Sequence, residues 1–92
     1  MEIKQTSIPE IKKNYCTREI DKEVIFFEES GVEIHTTDKV GFFIYKQIDG
    51  KKSVGEIITL ICNEYDVEVK TAQSDTIDFL TELYKNKIIN IN

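Results

Sequence analysis

The sequence is poor in the residue types on which most enzymes and nucleic-acid-binding proteins depend. Its 92 residues include no tryptophan, one histidine, one methionine and two cysteines. No local motif gives the histidine, His35, a nucleophile to activate, and no glycine-rich loop suits a phosphate. The 12 Lys and Arg are outnumbered by 17 Asp and Glu, and the net charge of −5 argues against binding nucleic acid through its phosphates. An enzyme has no positive support, and we expect no catalytic residue, cofactor or metal site.

Signals for export and membrane insertion are also missing. No apolar run approaches the roughly 20 residues that span a bilayer, and Met1–Ser7 has neither an apolar signal core nor a small-residue cleavage site. We therefore expect a cytoplasmic protein. Cys16 and Cys62 lie far apart, without a further cysteine or histidine at metal-ligand spacing, so a reducing cytoplasm would keep both as thiols.

The length of 92 residues suits one domain with a modest core. Residues 1–14 contain the only proline, Pro9, and mix polar with isolated apolar residues. This pattern is typical of an extended segment, so we expect a flexible N-terminal arm over 1–14 and a domain over 15–92.

Three β patterns open the domain. Turn residues at 21–23 and 29–31 separate them, and the last pattern alternates apolar with polar residues, which is typical of a half-buried strand. The predicted strands are Tyr15–Ile20, Val24–Phe27 and Val32–Thr36. Their immediate succession predicts an antiparallel meander.

Three helical patterns follow. Asp49-Gly50 is a turn dipeptide that ends the first helix, and Ser53 with Glu56 forms a capping box that begins the second. Thr37 or Asp38 is expected to cap the first helix. Its apolar face is Val40, Phe43, Ile44 and Ile48, and that of the second is Val54, Ile57, Ile58, Ile61 and Tyr65.

The third predicted helix, from about Thr71 to Asn86, has two apolar rows. Ile77, Leu80 and Tyr84 form one row, and Phe79 and Leu83 form the other. One layer of helices covers only one face of the sheet, so a sheet edge beside this helix could form a groove that captures an extended peptide. The alternative is that the apolar tail Ile88–Ile91 packs back and covers the groove.

These motifs, in their order and spacing from roughly Tyr15 to Ile89, resemble the PqqD-like family (pyrroloquinoline-quinone biosynthesis protein D). The chain departs from the family pattern at His35-Thr36-Thr37, where the family often has Leu-Asn, and at Asn86-Lys87, where it usually has glycine. The residues that carry the resemblance are Asp49-Gly50, Ser53-Val54-Gly55-Glu56-Ile57, Tyr65, Asp75-Thr76-Ile77-Asp78-Phe79-Leu80-Thr81-Glu82-Leu83 and Ile88-Ile89.

The resemblance implies an α+β, winged-helix-like domain with a three-stranded antiparallel meander followed by three helices. It also implies a stand-alone adaptor that binds the leader of a ribosomally made precursor peptide and presents it to a tailoring enzyme, such as a radical S-adenosylmethionine enzyme or a leader peptidase. In this family the leader adds as a strand beside the third strand, against the third helix. By position, the implied peptide-binding residues are Gly31, Val32, Glu33, Ile34, His35, Thr36, Ile77, Leu80, Thr81 and Tyr84.

The alternative is a winged-helix DNA-binding regulator, which would need a basic recognition helix. The second predicted helix has no Lys or Arg between Ser53 and Val69. Glu28, Glu29 and Glu33 cluster around the third predicted strand, and they form either a solvated face or a docking surface for a basic leader.

Overall fold

The computed structural model describes residues 3–13, 15–21, 23–28, 33–36 and 39–92, with only the backbone described for Glu28 and for 33–36. Within these ranges the chain forms five strands and three helices. The strands are β1 (Pro9–Ile11), β2 (Tyr15–Ile20), β3 (Glu23–Glu28), β4 (Glu33–Thr36) and β5 (Ile89–Ile91), and the helices are α1 (Lys39–Gln47), α2 (Val54–Glu64) and α3 (Val69–Lys85).

The predicted meander is confirmed. β2, β3 and β4 form an antiparallel sheet in that order, with Thr17 opposite Phe26 and Phe26 opposite Ile34. Val24 and Phe26 are completely buried, so one face of the central strand packs on the core. The expected turn at 29–31 and the strand residue Val32 lie outside the described residues.

The predicted turn between the first two helices is also confirmed. Gly50 has a φ of +75°, a conformation that favours glycine. The Asp49 carboxylate accepts hydrogen bonds from the amides of Lys52 at 2.8 Å and Lys51 at 2.9 Å. It also forms an ion pair with the Lys52 ammonium group at 2.9 Å. The Lys52 amide, then its ammonium group, and then the Lys51 amide hold the pKa of Asp49 well below its usual range.

The helix boundaries agree closely with the sequence patterns. At the start of α2 the Glu56 amide donates to Ser53 Oγ at 3.2 Å and the Ser53 amide donates to Glu56 Oε1 at 3.0 Å, which confirms the capping box. Helix α3 begins at Val69, slightly before the expected Thr71. The two residues expected to cap α1, Thr37 and Asp38, lie outside the described residues.

Residues 3–13 pack against the domain, so the expectation of a flexible arm needs correction for this segment. Its strand β1 pairs antiparallel with β5, with Pro9 opposite Ile91 and Ile11 opposite Ile89. Ile3 is only 7% exposed. The physical reason is that β1 gives β5 a partner strand and covers apolar side chains that the C-terminal tail would otherwise leave exposed.

The core is formed by the helices, the inner face of the meander and the C-terminal tail. Its completely buried side chains include Val24, Phe26, Ile44, Val54, Ile57, Leu80, Ile88 and Ile89. The buried hydroxyl of Thr76 donates to the carbonyl oxygen of Ala72 at 2.7 Å, so α3 buries no unsatisfied polar group at this point. No helix in the described ranges combines the length and the apolar character needed to cross a membrane.

Candidate functional site

Strand β4 lies at an edge of the meander. Within the described residues it pairs with β3 alone, from Phe27 opposite Glu33 to Val24 opposite Thr36. Alternate residues of an edge strand direct their N–H and C=O groups away from the sheet, where they are available to a further strand. This edge can therefore accept an extended peptide.

The other edge of the meander, β2, is less suited to strand addition. Lys46 of α1 forms an ion pair with Glu19 at 3.0 Å, and Tyr45 of α1 donates a hydrogen bond to Thr17 Oγ1 at 2.7 Å. Arg18 and Glu19 are exposed charged residues, which are typical of edges that resist pairing with another chain. β4 is therefore the better candidate for an acceptor strand.

A cavity of about 380 Å³ lies between α1 and α3. Helix α1 begins at Lys39, three residues after β4 ends at Thr36, so the two are at most about 10 Å apart along the chain. The lining of the cavity therefore begins, at Val40, four residues after β4 ends. Its lining residues are Val40, Gly41 and Ile44 from α1 and Asp75, Asp78, Phe79 and Glu82 from α3.

The floor of this cavity is apolar. Ile44 is completely buried, whereas Val40 and Phe79 are half-buried, so each of those two packs on the core with part of its side chain and offers the rest to the cavity. Gly41 is buried in α1 and lines the same cavity. Because glycine has no side chain, this position leaves the space open.

The α3 side of the cavity is negatively charged. Asp75, Asp78 and Glu82 are exposed, and none of them has an ion-pair partner among the residues that the structure describes. Glu82 Oε1 accepts one hydrogen bond, from Asn86 Nδ2 at 3.4 Å. An apolar floor beside three carboxylates favours a ligand that combines an apolar side chain with a positive charge. We call this feature the acidic groove.

The predicted peptide-binding residues of the strand that the structure describes lie at the sheet edge, whereas one of those predicted on the third helix is buried in the core. Glu33, Ile34, His35 and Thr36 form β4, at the free edge, whereas Gly31 and Val32 lie outside the described residues. Leu80 is completely buried in the core, together with Ala72, Thr76 and Leu83 on the same face of α3. Leu80 therefore presents no surface to a peptide in this structure.

The other predicted α3 residues do not line the acidic groove. An α-helix turns by about 100° per residue, which places Phe79 and Asp75 on one flank of the buried face and Ile77 and Tyr84 on the opposite flank. Thr81 points away from the core, between these flanks. None of the residues that line the cavity belongs to the predicted set, and Phe79 is the apolar α3 residue among them. Its signal in the sequence was an apolar side chain with acidic residues at the helical neighbours Asp75 and Glu82.

The C-terminal tail does not cover the acidic groove. Ile88 and Ile89 are completely buried and β5 pairs with β1, and none of residues 88–91 lines the cavity between α1 and α3. The groove is therefore open among the described residues. The predicted charged residues Glu28, Glu29 and Glu33 have side chains that lie outside the described part of the structure. Cys16 is exposed and Cys62 half-buried, and both are free thiols.

Comparison with known proteins agrees with the resemblance seen in the sequence. The chain matches the structure titled "TbiB1 in Complex with the TbiA(beta) Leader Peptide" with a TM-score of 0.78 and 29% sequence identity, over 88% of this chain and 94% of that chain. No curated protein sequence matches the chain. The sequence model of PqqD, described as coenzyme PQQ synthesis protein D, matches residues 23–89. This match covers most of the meander, all three helices and the start of β5, and the chain therefore belongs to the PqqD family.

Proposed function

We propose that this protein is a stand-alone adaptor that binds the leader of a ribosomally made precursor peptide and presents the peptide to a modifying enzyme. The observation that carries the proposal is the edge of β4, which pairs with β3 alone among the described residues and ends four residues before the acidic groove begins at Val40, in a PqqD-family fold. The similarity to TbiB1, whose structure contains a leader peptide, supports it. The adaptor itself performs no chemistry in this proposal.

The leader binds as an added strand on β4. β4 is four residues long, so it offers about two outward-facing residues for backbone hydrogen bonds. Such backbone pairing accepts any sequence, and pockets for individual side chains provide the selectivity. An apolar side chain of the leader enters the acidic groove and packs on the exposed part of Phe79.

The charge of the groove selects the residues beside that apolar anchor. Asp75, Asp78 and Glu82 favour a leader with Lys or Arg next to its apolar residue. Unscreened attraction between opposite charges accelerates association, whereas the buried anchor sets the residence time. We therefore expect the association rate to fall as salt rises, with a smaller effect on dissociation.

The modifying enzyme is a tailoring enzyme such as a radical S-adenosylmethionine enzyme or a leader peptidase. This part of the proposal rests on family analogy alone. We place the adaptor in the cytoplasm, where the ribosome makes the precursor peptide.

The DNA-binding alternative has no support among these observations. Helix α2 contains no Lys or Arg, and the net charge of −5 repels a polyanion.

The proposal is tested by titrating the labelled protein with two ligands. The first is a synthetic extended peptide in which a Phe is flanked by Lys and Arg, and the second is a duplex DNA of 20 base pairs. We expect saturable binding of the peptide, with N-methylation of alternate peptide residues weakening it because a ladder donor is lost. Duplex binding that weakens steeply with salt, without peptide binding, would contradict the adaptor.

Charge selectivity is tested in the same assay with Asp78→Lys. Stopped-flow association with the peptide should slow by about twofold or more at low salt, since an exposed charge acts mainly on encounter. The matched control is Asp66→Lys, an exposed aspartate after α2 that does not line the groove. Equal effects of the two variants would show that only net charge matters.

A further inference from the structure

A second cavity, of about 420 Å³, lies at the C-terminal end of α3 and is lined by three lysines. Lys12 directly follows β1, Lys85 ends α3, and Lys87 lies in the turn before β5. Tyr84 and Asn90 complete the lining. None of these residues lines the acidic groove, so this cavity is a separate one. We call it the lysine cleft.

The charges in the lysine cleft are not compensated within the described structure. The ion pairs among the described residues join Lys46 to Glu19 and Lys52 to Asp49, and none involves a lysine of the cleft. This is unexpected in a chain with 17 Asp and Glu against 12 Lys and Arg, because carboxylates are abundant. Three like charges around one cavity repel each other. An anion bound in the cleft would relieve that repulsion.

The backbone holds these lysines close together. The Lys12 amide donates to the carbonyl oxygen of Ile88 at 2.8 Å, which extends the pairing of β1 with β5 by one residue. Lys12 is therefore opposite Ile88, the residue that follows Lys87 in the chain. Lys85 belongs to the last turn of α3. The cleft is thus built on secondary structure rather than on a long loop.

Lys87 is strained at its position. Its φ is +62°, in the left-handed region that glycine or asparagine adopts at lower cost. The turn is closed by backbone hydrogen bonds, from the Lys87 amide to Tyr84 O at 3.0 Å and from the Ile88 amide to Leu83 O at 2.9 Å. These bonds do not need a side chain at residue 87. A helix dipole accounts for a cation in the last turn, such as Lys85, but not for Lys12 or for a lysine in the left-handed conformation.

We infer that the lysine cleft is a docking surface for an acidic segment of a partner protein, one that carries two or three Asp or Glu side chains. A cleft of about 420 Å³ accepts a few side chains rather than a nucleic-acid duplex, and the net charge of −5 repels long polyanions. The nearby amides of Lys87 and Ile88 are already bonded, so they do not form a cradle for phosphate. The half-buried ring of Tyr84 adds an apolar wall for the methylene groups of a Glu side chain.

This inference does not depend on leader binding. Because the lysine cleft and the acidic groove share no lining residue, one molecule can hold a basic leader and an acidic partner together. The two surfaces also have opposite charge, so each disfavours the ligand of the other.

The test uses hexaglutamate with an acetylated N-terminus and an amidated C-terminus as the probe. Its binding to the full chain is followed by NMR at low salt. We expect saturable shifts at residue 12 and at 84–90, with no saturable shifts from hexaglutamine. Lys12→Gln and Lys85→Gln should each weaken binding by about two- to fivefold, the effect of losing one exposed charge pair. Lys70→Gln is the matched control, since it removes the same charge about 22 Å away at the start of α3.

Lys87→Gly separates binding from folding. This variant should weaken hexaglutamate binding by about two- to fivefold while its urea midpoint stays unchanged or rises, because glycine relieves the left-handed strain. An equal loss in Lys70→Gln, or no saturable binding, overturns the inference. Tighter binding of tripolyphosphate or a 20-base-pair duplex than of hexaglutamate overturns the choice of occupant. The choice of occupant is also overturned if light scattering shows self-association and Lys87→Gly abolishes it, since the occupant is then a second copy of the chain.

Discussion

The backbone amide of Val54, the first residue of α2, donates a hydrogen bond to the carbonyl oxygen of Ser7 at 2.8 Å. The next amide, that of Gly55, donates to the carbonyl oxygen of Gln5 at 2.9 Å. The first amides of a helix have no partner within the helix. The N-terminal segment therefore completes the cap of α2 that Ser53 and Glu56 begin, and it links the start of the chain to the helical layer.

We predict that Ile3→Ala lowers the free energy of unfolding by about 2 kcal/mol, because Ile3 is 7% exposed and its removal leaves a cavity beneath the N-terminal segment. Urea unfolding followed by circular dichroism measures the effect. Thr6→Ala is the matched control, since Thr6 lies in the same segment and is exposed. A midpoint that Ile3→Ala leaves unchanged would mean that the segment contributes nothing to the fold.

The docking of this segment shows why local sequence patterns describe the helices better than the small sheet. The Asp49-Gly50 turn and the Ser53 capping box depend on residues within one turn of each other, so their chemistry is visible in the sequence. β1 and β5 are three residues each and come from opposite ends of the chain. Neither strand is long enough to produce a periodic pattern, and their pairing depends on contacts that only the complete fold creates.

We predict that the Asp49 carboxylate makes the free energy of unfolding depend on pH in the acidic range. Its pKa is lowered in the fold, so its contribution is complete above the unfolded pKa of about 3.9 and is lost as the pH falls below that value. In Asp49→Asn this contribution is absent at every pH. The difference in unfolding free energy between wild type and Asp49→Asn should therefore be largest at neutral pH and should narrow below about pH 4.

Urea unfolding at several pH values between 2 and 7 measures this difference. Asp66→Asn is the control, because Asp66 is exposed and has no ion pair within the described residues. A difference that stays constant between pH 7 and 2 would show that the carboxylate charge is not responsible.

We predict that Phe79→Ala weakens leader binding by about tenfold, the effect of removing an aromatic anchor from an interface, and that most of the loss appears in the dissociation rate. Ile77→Ala is the matched comparison. Ile77 is also a half-buried apolar residue of α3, but it lies on the opposite flank. Both variants should be compared at a temperature where circular dichroism shows them folded. If Ile77→Ala weakens binding more than Phe79→Ala, the leader uses the flank first predicted from the sequence.

The choice of flank illustrates what periodicity leaves open about the site. The apolar residues of α3 surround the buried row on both sides, so the sequence predicts a broad apolar face without indicating which side faces α1. That choice is made by the contact between α1 and α3, two helices that are distant in sequence. The edge position of β4 was more accessible to prediction, because a meander of consecutive strands leaves its last strand at an edge.

We predict that two proline substitutions at neighbouring positions of β4 differ in their effect on the stability of the domain. Ile34 lies opposite Phe26 and His35 lies opposite Ile25, and successive residues of an antiparallel strand direct their amides alternately toward and away from the partner strand. One of Ile34→Pro and His35→Pro therefore removes a donor to β3, and the other removes a donor to the outside. The first should destabilise the domain. The second should leave folding nearly unchanged, since proline is tolerated where the edge amide faces solvent.

The outward-facing variant is the informative one, because it changes the surface offered to a leader while the sheet remains intact. It should lose leader affinity by about tenfold, through the missing ladder bond and the altered strand edge. Urea unfolding identifies which variant is which, and fluorescence anisotropy with the same peptide measures binding to both. If the more stable variant binds as tightly as wild type, the leader does not pair with β4. Binding would then have to rest on the acidic groove alone, and N-methylation of the peptide should likewise have no effect.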